Sequence, residues 1–375
     1  MNAVSAASAA APVTAGRQFR RGLLRTNPLV LVAALVLTGL ALGLLQWLVS
    51  SGTFTLLPEQ RLLRLPTDDW GHVSYQVGLL KRRPPAHEPV YLLGGSNVRE
   101  CITTEGGLAA ALQRATGVPV TVRNLASNDQ HFGESMAIVD NLPPGRGIVV
   151  LSVNQMRFGY PPATIRREVS GRELVMASPA LRRFVRQHGG ASWPPQTIVS
   201  GIMDYGGSYV QQHFGALSRL HWPWVQHQTH RVSSAHEFTS AQKTLKMILY
   251  LRHAGHTGGE FDHDFAYNAA LLEATVRLAR QRGFAVVLME APENRAIVGD
   301  RFDRLKGIYQ PLCRRLAARY GATYVDFGDG VGLKNADFRD LTHLVETGRP
   351  KWQRGLARAL APVLEHLRAA GSVGQ

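Results

Sequence analysis

Val90-Tyr91-Leu92-Leu93-Gly94-Gly95-Ser96-Asn97 is the stretch that decides how this chain is read. An apolar run ends in two glycines and a serine, the pattern of a buried strand feeding a tight turn. Working outward, Val118 to Leu125 reads as a second strand. Ile148 to Val153 reads as a third, almost entirely β-branched and Leu, as in a sheet covered on both faces. Phe284 to Met289 and Ala322 to Phe327 supply a fourth and a fifth. Helical patterns lie between and after them, at Leu108 to Ala115, Met136 to Leu142, Phe265 to Arg282, Arg301 to Tyr320 and Arg349 to Arg368. Strands alternating with helices predict one α/β domain with a parallel sheet over residues 87–370. The rhythm breaks over 155–264, where prolines, aromatics and histidines replace the βα repeat, so a large insertion is expected there.

Upstream, Leu29 to Val49 contains no charged residue. About 20 apolar residues rising 1.5 Å each span a hydrocarbon core of roughly 30 Å, which makes 28–50 a candidate transmembrane anchor. Arg17, Arg20, Arg21 and Arg25 precede it, and no Lys or Arg follows before Arg61. The positive-inside rule then predicts a cytoplasmic tail over 1–27 and a single pass through the cytoplasmic (inner) membrane. Everything after residue 50 is expected to be periplasmic or extracellular. Residues 51–86 read as a linker, ending in Lys81-Arg82-Arg83-Pro84-Pro85.

Lys+Arg number 42 against 27 Asp+Glu, a formal charge of +15. The excess is arginine scattered over predicted helices, without a basic run or a nucleic-acid motif. It favours a surface facing anionic lipid or an anionic polymer over nucleic acid. Cys101 and Cys313 are the only cysteines, open to pairing in an oxidising compartment or to burial as free thiols.

In parallel α/β sheets, ligands bind outside the carboxyl ends of the strands, so polar residues there carry functional weight. Strand one exits into Ser96, whose turn leaves backbone N–H groups free to hold an oxyanion. Strand two exits into Asn124, Ser127, Asn128, Asp129 and Gln130, and strand three into Asn154, an amide able to donate to that oxyanion. After strand five comes Asp340-Leu341-Thr342-His343. On a helical turn, residues three apart share a face, so Asp340 would fix the tautomer of His343 while the other ring nitrogen meets a nucleophile. Asn97, Arg99 and Asn128 flank these exits as substrate-contact candidates. His227, His230 and His236, or His253, His256 and His263, have spacings compatible with zinc. No Cys pair or His-Glu-x-x-His pattern accompanies them, so neither a metal nor any other cofactor is expected. His221-Trp222-Pro223-Trp224 offers aromatic faces suited to sugar rings or to an irregular core.

Taken in order, Ser96, Asn154, Asp340 and His343 resemble the nucleophile, oxyanion-asparagine and Asp-x-x-His blocks of the SGNH (GDSL-type) hydrolase superfamily. The resemblance covers about 90–155 and 265–365 and is strongest to membrane-anchored members linked to acylation of cell-surface polymers. It implies a flavodoxin-like three-layer α/β/α sandwich and a Ser96–His343–Asp340 triad, with an oxyanion hole made from the Ser96 N–H, Asn154 and the residue at Asp129. The superfamily's usual Asp before the serine is Gly95 here, and its oxyanion glycine is Asp129, whose carboxylate opposes developing negative charge unless it contacts substrate or an arginine such as Arg99 or Arg157.

The activity implied is a serine O-acyltransferase working on an envelope polysaccharide through an acyl-serine. A multi-span membrane acyltransferase would act as its acyl donor. A carbohydrate or lipid esterase with the same triad is the second enzyme reading. A catalytically silent scaffold binding an envelope polymer or a membrane partner is the reading from another class.

Overall fold

The structure, a computed structural model, describes residues 27–63, 68–170, 176–188, 240–328 and 330–372. The chain divides into two units, Met1–Leu48 and Val49–Gln375. In the first, helix α1 begins at Pro28 and runs to Ser50. It is long and apolar enough to cross a membrane, with a mean hydropathy of 2.5 and no buried residue. Arg17 to Arg25, on which the orientation depends, lie outside the described residues.

The second unit opens with α2 (Asp69–Arg82), followed by β1 (Glu88–Leu93), α3 (Glu105–Thr116), β2 (Val120–Asn124), α4 (Phe132–Asn141) and β3 (Gly147–Val153). Then come α5 (Pro179–His188), α6 (Ser240–Gln281), β4 (Phe284–Glu290), α7 (Asp303–Tyr320), β5 (Thr323–Val325) and α8 (Gly348–Ser372). Short helical turns fill several strand exits, among them Ser96–Arg99 and Gln155–Phe158. The five strands pair in parallel in the order β2-β1-β3-β4-β5.

Alternation along the central strands divides the core. Tyr91, Leu93, Val149, Leu151, Val286 and Leu288 pack into one apolar cluster with residues of α2, α4, α6 and α7. Val90, Leu92, Ile148, Val150, Val287 and Met289 pack into another with α3 and α8. Every residue of β3 and of β4 is buried, which is why both read as continuous apolar runs. Each Val, Leu, Ile, Phe or Met side chain among them contributes roughly 1.5–3 kcal/mol by leaving water.

Two boundaries differ from the sequence reading. The stretch expected as a linker contains α2, which is capped by Asp68 accepting from the Gly71 N–H and buries Trp70, Val73, Val77 and Leu80. Its apolar residues recur at helical spacing, a signal masked by the basic end of the segment. The expected insertion also contributes to the core where it is described, through Phe158, Ile165, Met176, Leu181, Phe184, Val185 and Phe261. Helix α6 starts well before the expected Phe265. His221 to Trp224, together with His227, His230 and His236, lie outside the described residues, as do the side chains of His253 and His256. Cys101 and Cys313 are free and buried, and burial pushes the Cys101 thiol up to about 12.

Strand order reverses between β1 and β3, the two strands that lie side by side but are not consecutive. A crevice outside the carboxyl ends of such a pair is where open parallel sheets bind ligands. Ser96 follows one strand and Asn154 the other.

Candidate active site

The turn after β1 is tight because it must be. A Cβ at Gly94 would lie 2.7 Å from the Ser152 Cβ on neighbouring β3, so no larger residue fits. Gly95 has ordinary extended geometry, and a Cβ there would meet only Asn97 Oδ1 at 3.3 Å. Ser96 then starts a helical turn, and its N–H has no hydrogen-bond acceptor among the described residues.

His343 Nε2 lies 2.8 Å from Ser96 Oγ. Its Nδ1 lies 2.9 Å from both carboxylate oxygens of Asp340, which is 2% exposed. The carboxylate therefore accepts the Nδ1 proton and leaves Nε2 unprotonated, facing the serine hydroxyl. The pair does not sit on the helical turn expected from the spacing. Asp340 Oδ1 accepts from the backbone N–H groups of Thr342 and His343, both at 3.0 Å, forming an Asx turn. An antiparallel bridge between Phe338 and Leu344 closes the loop, with the Arg339 N–H donating to His343 O at 2.8 Å.

Asn154 caps the turn after β3. Its Oδ1 accepts from the Arg157 N–H at 3.1 Å, and its Nδ2 has no acceptor among the described residues. Pinning the oxygen fixes which end of the amide is available as a donor.

Asp129 has φ of 51°, the one positive value outside glycine among the described residues. Left-handed backbone at the position where a glycine was expected shows that the local geometry persists without one, since Asp tolerates it better than most side chains. Its N–H has no acceptor among the described residues, and its carboxylate accepts from Asn128 Nδ2 at 2.8 Å. Neither arginine proposed for it pairs with it. Arg99 engages Asp69 and Glu100, so it is held by two carboxylates rather than offered to substrate. Asn128 is likewise held, with its N–H donating to Asp69 Oδ2 at 2.8 Å. Asn97 is 6% exposed, its Oδ1 accepts from the Val98 N–H at 3.0 Å, and it lines the cleft beside the triad.

Arg157 is 2% exposed and has no carboxylate partner among the described residues. One guanidinium nitrogen donates to Ser152 O and another to Ser135 Oγ at 2.5 Å, with the group 4.3 Å over the Phe132 ring. Burial lowers its pKa to about 9. From Ser135 a chain of hydrogen bonds continues to Gln130 Oε1 (2.9 Å), and Gln130 Nε2 donates to Ser127 Oγ (3.2 Å). The Ser127 N–H in turn donates to Gly94 O at 3.1 Å. The exits of β3, β2 and β1 are thus tied together beneath the serine.

Sequence reasoning missed the residues that hold this frame. Asn294 donates its N–H to Leu341 O at 2.8 Å and its Nδ2 to Asp340 O at 3.1 Å, fixing the histidine loop. Glu100, 1% exposed, bridges Arg99 and Arg339. Asp69 comes from the segment read as a linker. None belongs to a local motif, so nothing short of the fold assembles them.

Beside the triad, a cleft of about 280 Å³ runs along the exits of β3, β4 and β5, with Asn154 and Thr342 at its near end. Glu290 lies in it, 7% exposed, and accepts from Tyr324 Oη at 2.6 Å and Tyr309 Oη at 2.8 Å. Burial raises its pKa to about 7, with Asp326 adding to the rise and the two tyrosine hydroxyls and Lys306 opposing it. Of the histidines whose spacing is compatible with zinc, His263 is described with its side chain. It is exposed and bonded to Asp264 Oδ1 at 2.7 Å. No known family model and no curated protein matches this chain.

Proposed function

We propose that the chain is a membrane-anchored, extracytoplasmic serine O-acyltransferase of the SGNH type, acting on a cell-envelope glycan. The observation that carries the reading is the continuous hydrogen-bond chain Ser96 Oγ–His343–Asp340, with an unengaged amide donor on Asn154. The strand order β2-β1-β3-β4-β5, with apolar clusters on alternate sides, is that expected of the flavodoxin-like sandwich and supports the same family.

In the first half-reaction, His343 Nε2 takes the proton from Ser96 Oγ as the oxygen attacks an ester or thioester carbonyl. The oxyanion is held by the N–H of Ser96, the Nδ2 of Asn154 and the N–H of Asp129. Collapse breaks the bond to the leaving group, which departs with the proton from His343, and leaves an acyl-serine. In the second half, His343 takes the proton of an acceptor hydroxyl. That oxygen attacks the acyl carbon, and Ser96 leaves with the proton returned to it. Asp340 stays ionised throughout and stabilises the imidazolium. With α1 in the membrane and the domain outside, the acyl group must be delivered across the bilayer, the role of a multi-span acyltransferase.

The test is turnover of 4-nitrophenyl acetate by the full chain in detergent, with and without glycan acceptor. A transferase gives acetylated glycan and is stimulated by acceptor. An esterase gives free acetate alone, and a silent scaffold gives neither product.

A further inference from the structure

We propose that the cleft between Asn154 and β5 is the acceptor site, and that it is built for a neutral, hydroxyl-rich glycan read by the Glu290 carboxylate. This rests on the acyl-transfer reading and names the substrate class of that same site. Position is the first argument. Val153 and Glu290 are register partners on adjacent strands, so Glu290 stands beside the Asn154 turn, and the Ala291 N–H donates to Val153 O at 3.2 Å. A hydroxyl-bearing ligand in the cleft therefore lies beside Asn154, the side chain assigned to the oxyanion.

The second argument is what Glu290 lacks. A buried carboxylate is normally matched by a cation. Here the nearby Lys306 Nζ is 2.5 Å from Glu293, and Glu290 is held by two neutral tyrosine hydroxyls. An ionised carboxylate has about four lone-pair positions, so two stay open on a residue that lines the cleft. Ligand hydroxyls are donors that fit them.

Charge supplies the third argument. The lining holds Glu290, Glu293 and Asp326 against Arg295, Lys306 and Lys334, which balance. The whole chain carries +15. Its basicity is therefore spent elsewhere, and an anionic polymer gains no net attraction from this cleft.

The experiment uses the full chain in detergent with Ser96→Ala, so that binding is read without turnover, on an array of neutral and carboxylated oligosaccharides of matched length. Binding confined to neutral glycans, and weakened at least tenfold by adding Glu290→Gln, is the expected result. Tyr324→Phe, which removes one hydroxyl from Glu290, is expected to weaken it severalfold and serves if the glutamine variant fails to fold. Preference for carboxylated glycans, absence of binding to either class, or indifference to both substitutions overturns the proposal. Failure of the acyl-transfer reading shows separately, as absence of an acyl adduct on Ser96 in the unmodified chain.

Discussion

The two ends of the furrow across the sheet are built differently. At the β2-β1-β3 end, each functional group is set by a short local device: an Asx turn holds His343, a cap holds Asn154, and a glycine turn presents Ser96. At the β4-β5 end, Glu290 is positioned by tyrosines from α7 and β5 that are remote in sequence. The first end keeps two donors, the Ser96 N–H and the Asn154 Nδ2, without acceptors among the described residues. The second keeps a buried carboxylate without a bonded cation. A site for chemistry needs fixed donors, whereas a site for recognition needs open acceptors, and the contrast follows that division.

Substitutions at each end should separate the two roles. Asp340→Asn has the largest expected effect. Its Oδ1 can still accept from Thr342 and His343, so the loop survives, but the wrong histidine tautomer should lower the acylation rate about 10⁴-fold. Stopped-flow release of nitrophenol measures it. Asn154→Ala should cost about 10²–10³-fold in the same rate with KM little changed, together with about 1 kcal/mol of stability from the lost cap.

At the other end, Glu290 links stability to pH. Its pKa rises on folding from an ordinary 4.5 to about 7, so the folded state prefers it protonated. Its contribution is fully present below pH 4.5 and is lost as pH rises through about 7, on the order of 3 kcal/mol in all. Burial sets that value, with Tyr324, Tyr309 and Lys306 opposing the rise and Asp326 adding to it. Glu290→Gln should flatten this slope in urea unfolding between pH 4.5 and 8, whereas Asn154→Ala should leave it intact. Ionisation also readies the carboxylate for ligand hydroxyls, so acceptor-dependent release should rise across the same window.

Two smaller effects sharpen the picture of the catalytic end. Arg157→Met replaces a buried, carboxylate-free cation by an apolar side chain of similar length. Its melting temperature should change little, since relief of a buried charge is offset by loss of the donor to Ser152 O and Ser135 Oγ. The acylation rate should nonetheless fall about tenfold as the tie between the β2 and β3 exits is lost, the order of 1.4 kcal/mol. Asp129→Gly relieves the left-handed backbone and removes a carboxylate from the oxyanion side. A gain of a few-fold in ester turnover is expected, within about 1 kcal/mol.

Much of the catalytic end was legible in the sequence. Ser96 and Asn154 fall at strand exits that hydrophobic patterning locates, Asp340 and His343 lie in the long loop after β5, and spacing joined the last two. The helical turn expected for Asp340 and His343 was wrong because an aspartate can satisfy neighbouring backbone N–H groups itself and so competes with a helix. Arg99 looked like a substrate contact because its partners Asp69 and Glu100 cannot be known before folding. Glu290 was invisible for the same reason. It ends an apolar strand and has no motif, and its importance comes from Tyr309, Tyr324 and burial.

The central claim is that Ser96 is a nucleophile activated by His343. Intact mass of the full chain incubated with an activated acetyl ester tests it most directly, beside Ser96→Ala. The account predicts one acetyl group on the unmodified chain, located to Ser96 by peptide mapping and absent from the variant. A folded chain that gains no acetyl group, or gains one equally with Ser96→Ala, would contradict it.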